Sequence, residues 1–101
     1  YRDAYSHEMK KNFIFIAKVW RWPGDAGWHF VNVPKDISKN IRTRYPKGFV
    51  SISACIGKTS WNTALFPHKQ SDTYLLSIKA SVRKKENILD GDMITIRFKI
   101  I

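Results

Sequence analysis

The chain has 101 residues and a formal charge of +10, from 18 Lys+Arg against 8 Asp+Glu, and 44% of it is hydrophobic. That length carries one domain with its own core and excludes two. One cysteine excludes an internal disulfide and any zinc site built on cysteine pairs, while the cationic excess favours an anionic partner without naming it.

Residues 1–8 read as a tag or upstream extension, with Met9 a natural start and a single β-barrel domain over 9–101. The apolar run from Phe13 to Ala17 follows Met9, Lys10 and Lys11 and imitates an export signal, but Lys18 interrupts it too early. No stretch approaches the roughly 20 apolar residues of a membrane span. A reducing cytoplasm, away from membranes, is the expected setting.

Alternation of apolar and polar residues dominates the chain, which is the strand signal. The first strand, 12–22, places Phe13, Phe15, Ala17 and Val19 on one face and Ile14, Ile16, Lys18, Trp20 and Trp22 on the other. Pro23 to Gly27 makes a turn into a second strand, 28–33. A helix is predicted next, with Asp36 as its N-cap and Pro34 at its entry. Ile37, Ile41 and Tyr45 form its apolar stripe, Lys35, Lys39 and Arg42 its opposite face, and Pro46 and Gly48 stop it. A third strand over 49–57 turns Val50, Ile52, Ala54 and Ile56 one way and Ser51, Ser53 and Cys55 the other. The fourth spans 59–66, residues 67–71 turn the chain, and the fifth spans 73–79 with Tyr74, Leu76 and Ile78 on one face. A short second helix over 80–86 ends at Asn87, which suits a left-handed C-terminal position. The turn Asp90-Gly91-Asp92 leads into a sixth strand, 93–101, with Ile94, Ile96, Phe98 and Ile100 inward. Six short strands with two helices predict a mainly β barrel, because closure removes exposed edges.

Four blocks resemble one family: VWRWPGDAGWHFVNVPKDIS from Val19, IGKTSWNTALFP from Ile56, YLLSIKASVRKKENI from Tyr74 and DGDMITI from Asp90. They are similar, in this order, to the family catalogued as domain of unknown function nineteen-oh-five. The resemblance implies a six-stranded double-split β-barrel capped by two short α-helices, similar in architecture to swapped-hairpin DNA-binding barrels. It implies no established activity. Where the family pattern has an acid after the Phe-Pro of the fourth strand, this chain has His68.

Two sets of residues are candidates for binding. Trp20, Trp22 and Trp28, flanked by Arg21 and His29, could form an aromatic platform at a barrel rim, or simply close the barrel end. Trp61 is a further aromatic candidate, although its alternation with Thr59, Thr63 and Leu65 suits the core. Lys35, Lys39 and Arg42, with Arg44 and Lys47 nearby, form a basic face able to follow phosphates or to stay solvated. Gly57-Lys58-Thr59-Ser60 copies the end of a phosphate-binding loop, but its context is strand–turn–strand; Lys58 alone remains a candidate for an anion.

Catalysis and metal binding have no comparable support. Asp25, Asp36, Asp72, Glu86, Asp90 and Asp92 all fall in predicted turns or helix ends, His29 and His68 lack ligand spacing, and Cys55 has no evident base. No catalytic residue, metal or cofactor is assigned. The expectation is a binding module for an anionic partner such as nucleic acid through the basic helix face. The alternative is a protein-interaction or small-ligand module using the aromatic rim.

Overall fold

A computed structural model describes residues 12–101. Residues 1–8 and Met9, read above as an extension and a natural start, lie outside the described residues. One antiparallel sheet of seven strands organises the chain. Its strands are β1 (Asn12–Lys18), β2 (Trp20–Arg21), β3 (His29–Asn32), β4 (Val50–Ile56), β5 (Thr59–His68), β6 (Thr73–Ser77) and β7 (Met93–Ile100). Two helices, α1 (Lys35–Arg44) and α2 (Ala80–Glu86), connect β3 to β4 and β6 to β7. The spatial order is β1-β7-β4-β5-β6-β3-β2. Among the described residues no helix is long and apolar enough to cross a membrane.

The sheet curls because one of its faces is apolar along nearly every strand. Phe13, Phe15 and Val19 meet Ile96, Phe98 and Ile100 from β7, Val50, Ile52, Ala54 and Ile56 from β4, and Trp61 and Leu65 from β5. Ile41 of α1 and Val82 of α2 cover the open side of this core. The predicted alternation of these strands is therefore observed.

The closed six-stranded barrel needs correction. The first predicted strand breaks at Val19, whose N–H donates to Asp92 O at 2.8 Å while its C=O accepts from Gly91 N–H at 2.8 Å. Before this residue the chain pairs with β7; after it, Trp20 and Arg21 pair with Phe30 and His29 of β3. One bent segment thus supplies both edges of the sheet, and no ladder joins them along their length. The result is a curled, open half-barrel with seven strands.

Smaller corrections have local causes. Pro67 and His68 belong to β5, paired with Tyr74 and Thr73, so the turn begins at Lys69. The N-cap of α1 is Pro34, with Asp36 in the first turn. The side chain that organises this helix start is instead the buried Ser38, whose hydroxyl donates to Val33 O and accepts from Tyr74 N–H, both at 3.1 Å. These bonds tie α1 to β3 and β6. Helix α2 has its predicted span and ends at Asn87 in the left-handed conformation, φ 55°.

Candidate functional site

The outer face of the sheet changes character from one end to the other. On β4 and β7 it carries Ser51, Ser53, Thr95, Arg97 and Lys99, as expected of a solvated surface. Cys55 lies here, with Arg97 Nη2 at 3.7 Å and Gly57 O at 3.5 Å from Sγ. On β2, β3, β6 and the end of β5 the same face is aromatic. Register explains the grouping: Trp20 lies opposite Phe30, Trp22 N–H donates to Trp28 O at 2.8 Å, and Phe66 lies opposite Leu75. Alternation then turns all six side chains outward.

These side chains form a second apolar layer outside the main core. Phe30 and Leu75, only 7% and 3% exposed, lie beneath it, while Trp22, Trp28 and Phe49 remain 42%, 53% and 70% exposed. Ring centroids run from Trp20 to Trp22 at 5.6 Å, Trp22 to Phe30 at 5.8 Å, Phe30 to Phe66 at 6.4 Å and Phe66 to Phe49 at 4.8 Å. Trp28 lies nearly parallel to Phe30, with 9° between planes and 6.3 Å between centroids. A shallow groove of about 360 Å³ runs over this layer, lined by Trp22, Trp28, Phe30, Phe66, His68 and Leu75, with Pro67 at its margin.

Polar groups fix the rings in place. Trp20 Nε1–H donates to Asn32 Oδ1 at 2.7 Å, and Asn32 Nδ2 donates to Thr73 Oγ1 at 3.0 Å. Thr73 Oγ1 lies 2.6 Å from Ser71 Oγ, which is 2.7 Å from His68 Nδ1. The His68 ring meets Trp22 edge to face at 6.1 Å. The network thus starts and ends on neighbouring indoles, which limits their rotation.

A second, more enclosed pocket of about 370 Å³ lies beyond His68, between the C-terminal end of α1 and the β5–β6 turn. Arg42, Lys69, Asp72, Thr73 and Tyr74 line it, with Pro67 and His68 shared with the aromatic groove. Arg42 Nη1 donates to Asp72 Oδ1 at 2.9 Å. Burial pushes the Tyr74 phenol above its ordinary value, partly offset by the positive charge of Arg42.

The predicted candidates are distributed unevenly over these sites. Trp20, Trp22 and Trp28 share the outer face, as a platform requires. Arg21 and His29 lie opposite one another on the other face of the β2–β3 pair, so they do not flank the rings. There, Arg21 Nη2 donates to Gly24 O and His29 Nδ1 to Gly27 O. Trp61 faces the main core, 8% exposed. Lys58 sits in the β4–β5 turn, about 30 Å of strand away from His68. Of the basic set, Lys35 and Lys39 are exposed on α1, Lys47 is exposed beyond it, Arg44 hydrogen-bonds Asn40 Oδ1, and Arg42 enters the second pocket. Sequence reasoning missed Phe30, Phe49, Phe66 and Leu75 as groove residues. It also missed Lys69 and Asp72, which the β5–β6 hairpin brings to Arg42.

Comparison with known families bears on this face. A family model described as Domain of unknown function (DUF1905) matches residues 15–98, which span every one of these side chains. The chain belongs to the DUF1905 family. No curated protein matches it. The DUF1905 match includes both indole-bearing strands and the whole β5–β6 hairpin, so groove and pocket lie within the matched span.

Proposed function

We propose that this DUF1905 chain is a binding module for single-stranded nucleic acid, with bases stacked on the aromatic outer face. The observation that carries the reading is the exposure of Trp22, Trp28 and Phe49 within one continuous aromatic layer of the outer sheet face, whose other exposed apolar side chains, Ile14, Ile16 and Met93, are aliphatic and lie on β1 and β7. An exposed apolar patch of this kind marks a contact surface. A stacked base contributes about 1–3 kcal/mol on an aromatic side chain, and every base offers such a face. Cations supply the complementary attraction: Lys35, Lys39 and Arg42 lie along one side of α1, and the net charge is +10. Recognition of this kind is electrostatic and stacking-based, without base-edge readout.

The experiment is fluorescence anisotropy with a labelled single strand at two salt concentrations. Three phosphate contacts on a single strand give a log–log salt slope of about −2, so affinity falls roughly twentyfold between 50 and 200 mM salt. Trp22→Ala weakens binding. A native chain that binds no strand at the lower salt concentration ends the proposal.

A second reading is supported by the groove alone. Its volume of about 360 Å³ and largely apolar lining suit a small planar molecule or an aromatic side chain of a protein partner. Such binding is insensitive to salt and leaves labelled strands free.

A further inference from the structure

Groove and pocket are neighbours, separated by Pro67 and His68, which line both. One side of this partition offers ring faces; the other offers the Arg42 guanidinium and Lys69. We propose that the Arg42 pocket is a phosphate subsite, and that groove and pocket together take one nucleotide, with its base against Trp22 and its phosphate on Arg42. The inference rests on the stacking role of the aromatic face and adds the position of the charge.

Three observations support the assignment. The pocket is the more enclosed of the two hollows and is lined by cations from separate elements, Arg42 from α1 and Lys69 from the β5–β6 turn. The step between the hollows is one side chain wide, since His68 touches Trp22 on one side and faces the pocket on the other. A nucleotide has this shape, with base and phosphate held apart by one sugar. Arg42 is also already held by an anion, the Asp72 carboxylate at 2.9 Å. Both partners remain partly exposed, 43% and 67%, so the pair is open to exchange with an incoming oxyanion. A phosphate offers the guanidinium the same bidentate geometry as a carboxylate with more charge. Asp72 thus acts as a tethered competitor that occupies Arg42 when no phosphate is present.

This arrangement makes a specific demand: removing the acidic partner of Arg42 must strengthen binding. Asp72→Asn is the decisive variant. Asp72 has φ 57°, and asparagine accepts that left-handed backbone, so the turn survives. The test titrates a fluorescein-labelled single strand of about 12 nucleotides into the native chain and its variants. Asp72→Asn tightens binding about fivefold by removing a like charge near the phosphate. Arg42→Gln weakens it about tenfold through loss of a charge-assisted hydrogen bond, and reduces the salt slope by about 0.7. Trp22→Ala reports on the aromatic face independently. If Trp22→Ala weakens binding while Arg42→Gln and Asp72→Asn match the native chain, the phosphate subsite is refuted and the stacking face stands. If the native chain binds no strand at low salt, the single-strand reading fails, and the subsite fails with it when the chain also shows no Arg42-dependent binding of a free nucleoside monophosphate.

Parallel titrations with adenosine and adenosine monophosphate, followed by tryptophan fluorescence, separate the two sources of this chemistry. An Arg42-dependent preference for the monophosphate assigns the site to free nucleotide. Arg42 dependence seen with the strand alone assigns it to a nucleotide within a chain.

Discussion

Gly57 is the position at which one methyl group tests the most of this structure. Its φ is +57°, and a Cβ built there would overlap the Glu86 carboxylate at the end of α2. That carboxylate accepts from Thr59 Oγ1–H at 2.6 Å and, more weakly, from Lys58 N–H at 3.4 Å, so it fastens α2 to the β4–β5 turn. Gly57→Ala therefore has two costs. A Cβ in the left-handed region costs about 1–2 kcal/mol. Displacing Glu86 from these partly exposed partners costs about 1 kcal/mol more. The sum, about 2–3 kcal/mol, corresponds to a fall in Tm of roughly 10–20 °C for a domain of this size. Glu86→Ala alone costs about 1 kcal/mol. The double variant resembles Gly57→Ala, because the methyl has already removed the carboxylate from its partners, and the cycle shows a coupling of about 1 kcal/mol. Urea unfolding of the four proteins measures it. Strict additivity, or a Gly57→Ala variant within 0.5 kcal/mol of the native chain, would refute the reasoning. The outcome also bears on the phosphate-loop likeness of Gly57-Lys58-Thr59-Ser60: here the glycine makes room for a helix end.

Ser38→Ala leaves the Tyr74 N–H buried without its acceptor and costs about 2–3 kcal/mol in urea unfolding; a loss under about 0.5 kcal/mol contradicts the bridging role. Trp20→Phe keeps a ring on the outer face but removes the donor to Asn32, and lowers stability by about 1 kcal/mol in the same assay, with no change predicted if that bond is idle. Tyr74 titrates above the free phenol because burial disfavours phenolate. The fold binds that proton more tightly than the unfolded chain does. Its contribution is thus complete below the ordinary value of 10.0 and is lost as pH rises through the folded value. Arg42→Gln removes the opposing charge and raises the phenol further in an ultraviolet titration; a downward shift contradicts the assigned neighbours.

The main core was legible because its strands have one wet face. The inward residues of β4 and β7 alternate with Ser51, Ser53, Thr95, Arg97 and Lys99, and period two then identifies the buried side; in β1 the buried Phe13 and Phe15 alternate with the exposed Ile14 and Ile16, so there period two gives the two faces and the neighbouring strands decide which is inward. The pattern fails where both faces are apolar. Thr73 to Leu76 are buried in an unbroken run, and Trp20 and Trp22 read equally well as rim or core. What separates these cases is which strand lies beside which, and the partners of β6, namely β3 and β5, lie at different distances along the chain. The Arg42 pocket was illegible for the same reason, since Arg42 and Asp72 are 30 residues apart. The start of α1 was misjudged by a local rule: Asp36 suits a cap, but Ser38 instead serves tertiary hydrogen bonds inside the fold.

The bend at Val19 has a consequence for assembly. Because β1 lies beside β7 and β2 beside β3, the bent segment that carries both cannot settle along its length until both an early neighbour and the last strand are present. The β1–β7 ladder spans nearly the whole described sequence, and non-local pairing of this kind is associated with folding in milliseconds to seconds rather than microseconds. Detaching that one segment would strip β7 and β3 of partners together, so damage at one point of the backbone would create two sticky borders.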